Sequence, residues 1–462
     1  MAVTSADHML DIDRKLAELS PIPSERCIFR VHDLLRNENK KVYEPEAVAI
    51  GPYHYGKDNL QPMEEHKLRC LKQLLQRRNE RSAERYIAEM RKSEQRAREF
   101  YAEPISLDSN AFVEMMLLDS CFIVEFLRHM PNLEDLSDEM TNLEDPNDLI
   151  NPATNMVDPN DPMANPMTNL IGLECYIENA LGRDLLLFEN QFPFFIVKQL
   201  FDMTKTENSI DTLDNLIGEF ISHFRWITPE PSEFVLDDLY INHLLGLLHY
   251  CFCYQFHSQR NTVQMVCKTV DFKYCSCTDD MSLKSATELQ EAGIKFKKIE
   301  GRNLFDIRFV NGTMEIPTLL VSDRTESVFR NLIAYEQYHS DTSWHHFTAY
   351  LKLMDYLVNT SNDVKILTSD GIIHNFLGEN EVVATMLNKL GNNITTSSEG
   401  YEEVYNNVNE HCRRKRNLWL AILRRDYFNN PWALISFLAA AGLLVFTLLQ
   451  TIFSILSVQK SN

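Results

Sequence analysis

The chain has 462 residues, 44% of them hydrophobic and 24% charged, the composition of an ordinary globular protein long enough for two or three domains. Its formal net charge of −21 argues against nucleic acid as a partner, because phosphate recognition needs a basic face to displace counterions. The ten cysteines follow no small-scaffold framework and read as reduced cytosolic thiols.

In chain order, residues 1–23 form a leader ending near Pro21-Ile22-Pro23, without the basic-then-apolar order of a signal peptide. A globular region is expected over 24–426. In it "CIFRVHDLLR" reads as a strand running into a helix, and a helical pattern continues from 62 to about 101. "AFVEMMLLDSCFIVEFLRHM", 111–130, is apolar nearly all round, which predicts a buried core helix; Asp119 and Glu125 in its middle argue against a membrane span. These two acids point about 120° apart on an ideal helix and should serve different contacts. Residues 131–170 repeat Asn-Leu-Glu-Asp and Asp-Pro-Asn-Asp elements among prolines, which predicts an acidic, disordered low-complexity loop. "DLLLFENQFPFFIVKQLF", broken or kinked at Pro193, and "LYINHLLGLLHYCFCYQF" are further core segments. Near the C-terminus Phe305, Ile307 and Phe309 alternate before Asn311-Gly312, a strong hairpin signal because a type I′ turn needs positive φ at both central residues. Helices return at "TESVFRNLIAYEQY" and "AYLKLMDYLVNT". The expected fold is mainly α (α+β): a multi-helical globular domain with a small antiparallel β-hairpin or sheet, plus one C-terminal transmembrane helix.

That last helix is expected over 431–458, followed by a short tail, 459–462. No charged residue occurs from 427 to 459, and about 20 apolar residues suffice to cross a hydrocarbon core. Asn430 suits an N-cap, Pro431 the first helical position, and Trp432 an interfacial anchor. Arg413, Arg414, Lys415, Arg416, Arg424 and Arg425 precede the segment, whereas Lys460 alone follows it. Basic residues favour the cytosolic side, so the large N-terminal part is expected in the cytosol, on the plasma membrane or an endomembrane. The basic cluster also suits anionic lipid. Three sequons, at Asn311, Asn359 and Asn393, pull the other way, since they matter only in a secretory lumen; the basic flank outweighs them.

Chemical motifs are mainly absent: no phosphate loop, dinucleotide fingerprint, nucleophile elbow or His-Glu-x-x-His occurs. No cofactor is expected. Cys251-x-Cys253 sits in an apolar helix and reads as buried thiols, while Cys275 and Cys277 form a weak metal pair. The stretch "VAIGPYHYGKDNLQPMEEHKLR" combines turn chemistry with a helix opening at Pro62, where Met63, His66, Cys70 and Leu74 share a face. His66 is therefore expected to be a buried structural histidine; the sharper reading joins it to His54 and Glu64 as an acid–base or metal site. Asp119, Glu125, Glu189 and His243 raise the same question, since polar groups in apolar helices must find partners.

The ordered set "AIGPYHYG", "MEEHK", "LLDSCFIVEFL", "DLLLFENQFPFF", "HLLGLL", "ATELQEAGIKFK", "FRNLIAYEQ" and "YFNNPWALIS" resembles the plant-specific family of the domain of unknown function 247 over nearly the whole chain. Three positions depart from that family: His32 replaces a usual proline, Tyr55 a second histidine, and Gly246 a frequent acid. Tyr55 weakens any two-histidine site. The resemblance implies a plant membrane protein with a single C-terminal span and no known biochemical activity. Some grass members are associated with pollen-side self-incompatibility, so the resemblance also implies recognition or signalling through a protein partner. The alternative is a hydrolase using buried His, Glu and Asp groups. Without an established catalytic motif, the interaction reading comes first.

Overall fold

The computed structural model describes residues 12–16, 25–129, 175–205, 212–224, 241–260, 282–300, 303–338, 345–395, 400–414 and 431–461. The acidic segment 131–170 lies outside them, as do Cys275 and Cys277. Packing divides the chain into two compact units. The first comprises Met1–His223, Pro231–Tyr250 and Arg330–Tyr338; the second comprises Phe224–Glu230, Cys251–Phe329 and His339–Asn462.

The first unit is helical. After a helical stretch at residues 12–16 come a single turn, α1 (Asp33–Arg36), then α2 (Gln61–Arg77), α3 (Glu84–Glu99) and α4 (Ser109–His129). The helical pattern of 62–101 is thus two helices, not one. Arg78 closes α2 and Asn79 adopts the left-handed conformation at φ 57°, a conformation that asparagine tolerates and that stops a helix. Ile28 makes a lone parallel bridge to Tyr101 in place of a full strand. Except for the exposed Glu114, α4 is buried from Phe112 to Leu127, Asp119 and Glu125 included, and packs against α2, α3, α6 (Phe194–Thr204) and α7 (Leu213–Ser222). Before α6 comes α5 (Cys175–Asp184). Pro193 does not kink a helix: it is the N-cap of α6, where the missing N–H costs nothing. The segment between, residues 185–193, is a buried turn rather than a helix. α8 (Leu244–Arg260) follows, its residues from Cys251 on belonging to the second unit.

The second unit holds α9 (Ala286–Glu291), strands β1 (Lys295–Ile299), β2 (Arg308–Val310), β3 (Thr313–Pro317) and β4 (Leu319–Val321), then α10 (Thr325–Gln337), whose last residues from Arg330 on belong to the first unit. After these come α11 (His346–Leu357), α12 (Ser361–Ser369), β5 (Ile373–Asn375), α13 (Asn380–Leu390) and α14 (Glu402–Arg413). β2 and β3 form the expected hairpin, with Val310 opposite Thr313 and positive φ at Asn311 (51°) and Gly312 (79°). The sheet is mixed rather than purely antiparallel, because β1 pairs with β3 in parallel. A second, two-stranded sheet pairs β4 and β5, again in parallel. Capping boxes open α9 at Ser285 and α12 at Thr360. Asp363 of α12 also accepts the backbone N–H and the hydroxyl of Thr287, at 2.8 and 2.6 Å, tying the two helices together.

The final helix, α15 (Pro431–Ser461), contains a stretch, Ile435–Ser454, with mean hydropathy 2.1 and none of it buried. By length and composition it can cross a membrane.

Candidate functional site

The motif "EAVAIG" is an irregular segment, bent at Glu46 and Ala47, that joins no sheet. Its hydrogen bonds go instead to buried side chains. Asp184 Oδ2 accepts the N–H groups of Glu46, Ala47 and Val48 at 2.9, 2.7 and 3.1 Å. Asn190 Oδ1 accepts Ile50 N–H at 2.7 Å, while its Nδ2 donates to the carbonyls of Val48 and Asp184, both at 3.0 Å. Asp119 Oδ2 accepts Gly51 N–H at 2.7 Å. A buried backbone outside regular secondary structure must still place its polar groups, and here three side chains, Asp184, Asn190 and Asp119, take them. Gly51 is required: φ is +71°, and a Cβ there would stand 2.6 Å from the Gln191 carbonyl oxygen. The Gln191 amide in turn donates to the carbonyls of Leu185 and Leu187, each at 2.8 Å, and accepts Leu245 N–H.

Below this segment sits Lys67, fully buried. Its ammonium donates to Asp119 Oδ1 at 2.6 Å, Glu64 Oε1 at 2.7 Å and the Ala49 carbonyl at 2.6 Å, filling all three donor positions. Burial pulls the ammonium down, but Asp119 and Glu64 outweigh it and hold Lys67 above its usual value. Burial pushes the Asp119 carboxyl up to about 6, against the pull of Lys67. Burial likewise raises Asp184 to about 6 despite its three backbone donors. Further along α4, Glu125 accepts from Arg77 (3.0 and 2.5 Å) and Arg128 (2.9 Å). Burial pushes Glu125 up, but the two guanidiniums outweigh it and hold it below the ordinary range.

A second cluster surrounds His54, whose side chain is 1% exposed. Glu189 Oε1 accepts Val31 N–H at 2.7 Å and Arg36 Nη1 at 2.6 Å. Arg36 and Lys57 both bond Glu44. His54 lies between the two acids, Nε2 at 3.7 Å from Glu189 Oε2 and Nδ1 at 3.8 Å from Glu44 Oε2. Neither ring nitrogen has a hydrogen-bond partner among the described residues, nor has Glu189 Oε2. Burial lowers the imidazole to about 3, helped by Lys57, Arg30 and Arg36, so the ring is neutral. Three cations against two carboxylates leave this cluster net positive, which disfavours a metal cation at His54.

The residues singled out in sequence therefore divide. Glu64 and Asp119 meet at Lys67, His54 and Glu189 meet beside Arg36, and no hydrogen bond or ion pair among the described residues joins the two groups. His66 is half-buried and stands apart from both, lowered by burial. It does not occupy the apolar face of α2; that face is Met63, Lys67, Cys70 and Leu74. On a wheel of about 100° per residue, Lys67 stands about 40° and His66 about 60° from the mean direction of the other three, a signal that was present in the spacing. His243 is buried, accepts Gly246 N–H at 3.1 Å and stacks edge-on with Tyr335. Lys67, Asp184, Asn190 and Gln191 are the residues that sequence reasoning missed. A groove of about 650 Å³ lies elsewhere, between α3 and α6, lined by Arg85, Glu89, Arg96, Phe195 and Lys198 among others, and none of the candidate residues lines it.

Residues 28–446 match the model of the DUF247 family, described as plant protein of unknown function, and the chain belongs to that family. It is similar to two proteins of Arabidopsis thaliana. UPF0481 protein At3g47200 is 28% identical over 93% of this chain and 86% of that protein. Putative UPF0481 protein At3g02645 is 22% identical over 92% of this chain and 89% of that protein. No solved structure matches the chain significantly.

Proposed function

We propose that this protein is a membrane-anchored recognition or signalling protein whose folded units face the cytosol and engage a protein partner. One observation carries the reading: among the described residues, the buried acids of the motifs are held by separate partners rather than gathered in one site. Asp119, Asp184 and Glu125 are engaged by backbone N–H groups, Lys67, Arg77 and Arg128, which is how a protein fixes a shape. Fixed shape is what a recognition surface needs, because a preorganised surface loses less entropy on binding. The exposed Ile435–Ser454 helix supports the anchor, and the excess of basic residues just before it supports the cytosolic orientation.

The hydrolase reading keeps one observation in its favour. His54 and Glu189 are buried, close and incompletely bonded, as an acid–base pair awaiting substrate would be. The deciding experiment has two arms on the full-length protein. Proximity labelling from its N-terminus is compared with the same span carrying an unrelated soluble domain, and the purified protein is screened against ester, amide and glycoside substrates. A reproducible labelled set that is unchanged by His54→Ala supports recognition. Turnover lost in His54→Ala and Glu189→Gln, at unchanged melting temperature, replaces it with the enzyme.

A further inference from the structure

The span carries its polar residues on one face. Ser436, Ala440, Thr447, Gln450, Thr451 and Ser454 fall within about 100° of arc on α15, with Leu443 among them. All six are exposed. The opposite face is wholly apolar, with Leu438, Val445, Leu448 and Ile452. Thr447 and Thr451 satisfy their hydroxyls within the helix, donating to the carbonyls of Leu443 at 2.7 Å and Thr447 at 2.8 Å. Gln450 is different: its side-chain amide makes no hydrogen bond to any described residue.

We propose that α15 associates in the membrane with α15 of a second copy of this chain, through the Gln450 face. The inference rests on the membrane-spanning reading of α15. Gln450 stands about 8 Å along the axis from the centre of Ile435–Ser454, inside a hydrocarbon layer about 30 Å thick. Its amide offers two donors and a carbonyl acceptor, and lipid tails can bond none of them. Among the described residues no other helix is long and apolar enough to cross a membrane, so another chain must supply the partner. Copies inserted by one rule share orientation and depth, so a two-fold axis along the membrane normal brings Gln450 onto Gln450. A primary amide is donor and acceptor at once, hence complementary to itself; an unrelated helix would need its own polar group at that depth. Ser436 and Ala440, on the same face, let the two backbones approach closely.

The test uses the full-length chain bearing donor or acceptor fluorophores at its N-terminus, in phosphatidylcholine vesicles across a range of surface densities. Energy transfer should follow a monomer–dimer curve. Gln450→Leu should weaken association about 3- to 30-fold, Gln450→Asn should retain most of it, and Val445→Leu on the opposite face should leave it unchanged. Transfer no greater than random at every density, or Gln450→Leu associating as well as the parent, overturns the inference while the anchor stands. Release of the chain by alkaline extraction of the vesicles would overturn the anchor, and the inference with it.

Discussion

Lys67 and Asp119, 52 residues apart in sequence, form a 2.6 Å ion pair in which both side chains are 1% exposed. The pair bonds α2 to α4, and through Gly51 N–H and the Ala49 carbonyl it also holds the irregular segment that precedes α2. An ion pair this deep in the protein is sensitive to loss of one partner, because the survivor keeps its desolvation cost without its compensation.

Lys67→Met should therefore lower stability by about 3–5 kcal/mol, read as a fall in the melting temperature of the full-length protein. Adding Asp119→Asn should restore part of the loss, since an amide carbonyl still accepts Gly51 N–H without leaving a bare charge. A Lys67→Met protein as stable as the parent would show that the ammonium is not buried as described.

His66 provides the contrast. It is half-buried beside the Lys67 face, so His66→Ala should cost less than about 1 kcal/mol. Melting curves of the two single variants, run together, give the comparison. A larger cost for His66→Ala than for Lys67→Met would assign the apolar face of α2 the other way round.

Two glycines of the same turn separate strain from collision. Gly51 and Gly56 both have positive φ, +71° and +77°, but a Cβ at Gly56 meets nothing within 4 Å whereas at Gly51 it meets the Gln191 carbonyl oxygen at 2.6 Å. Gly56→Ala should cost about 1 kcal/mol, the usual penalty of the left-handed region. Gly51→Ala should cost more than about 2 kcal/mol, because backbone must move. Equal melting temperatures for the two would contradict the close approach at Gly51.

The Asp184 carboxyl, raised to about 6 by burial, sets a pH dependence. Its unfolded value is about 3.9, so the folded state binds the proton more tightly. Its contribution to stability is therefore fullest below about pH 4, declines as pH rises to about 6, and is flat above that. Asp184→Asn removes the titration. The stability of the parent relative to this variant should increase by about 2–3 kcal/mol between pH 7.5 and pH 4, measured as the difference in melting temperature across that range. A difference that is constant, or that shrinks toward acid, would mean the carboxylate stays ionised on its three N–H donors.

Residues acting locally were legible in the sequence. Asn311-Gly312 determined its hairpin because only such a pair accepts positive φ twice, at 51° and 79°. The uncharged stretch after Asn430 determined a long apolar helix for the same kind of reason: composition and length are properties of one segment. What tertiary structure alone decided was every pairing at long range. Asp184 reaches N–H groups more than 130 positions away, at Glu46, Ala47 and Val48, and no local pattern marks an irregular segment whose partners are distant side chains. The parallel pairings β1–β3 and β4–β5 were likewise beyond local signals, because strands of three to five residues carry little alternation and their partners lie across connections. Lys67 shows the limit within a single helix. Hydrophobicity placed it outside, since a lysine alone is costly to bury; only the arrival of Asp119 and Glu64 at its ammonium made the inside the lower-energy place.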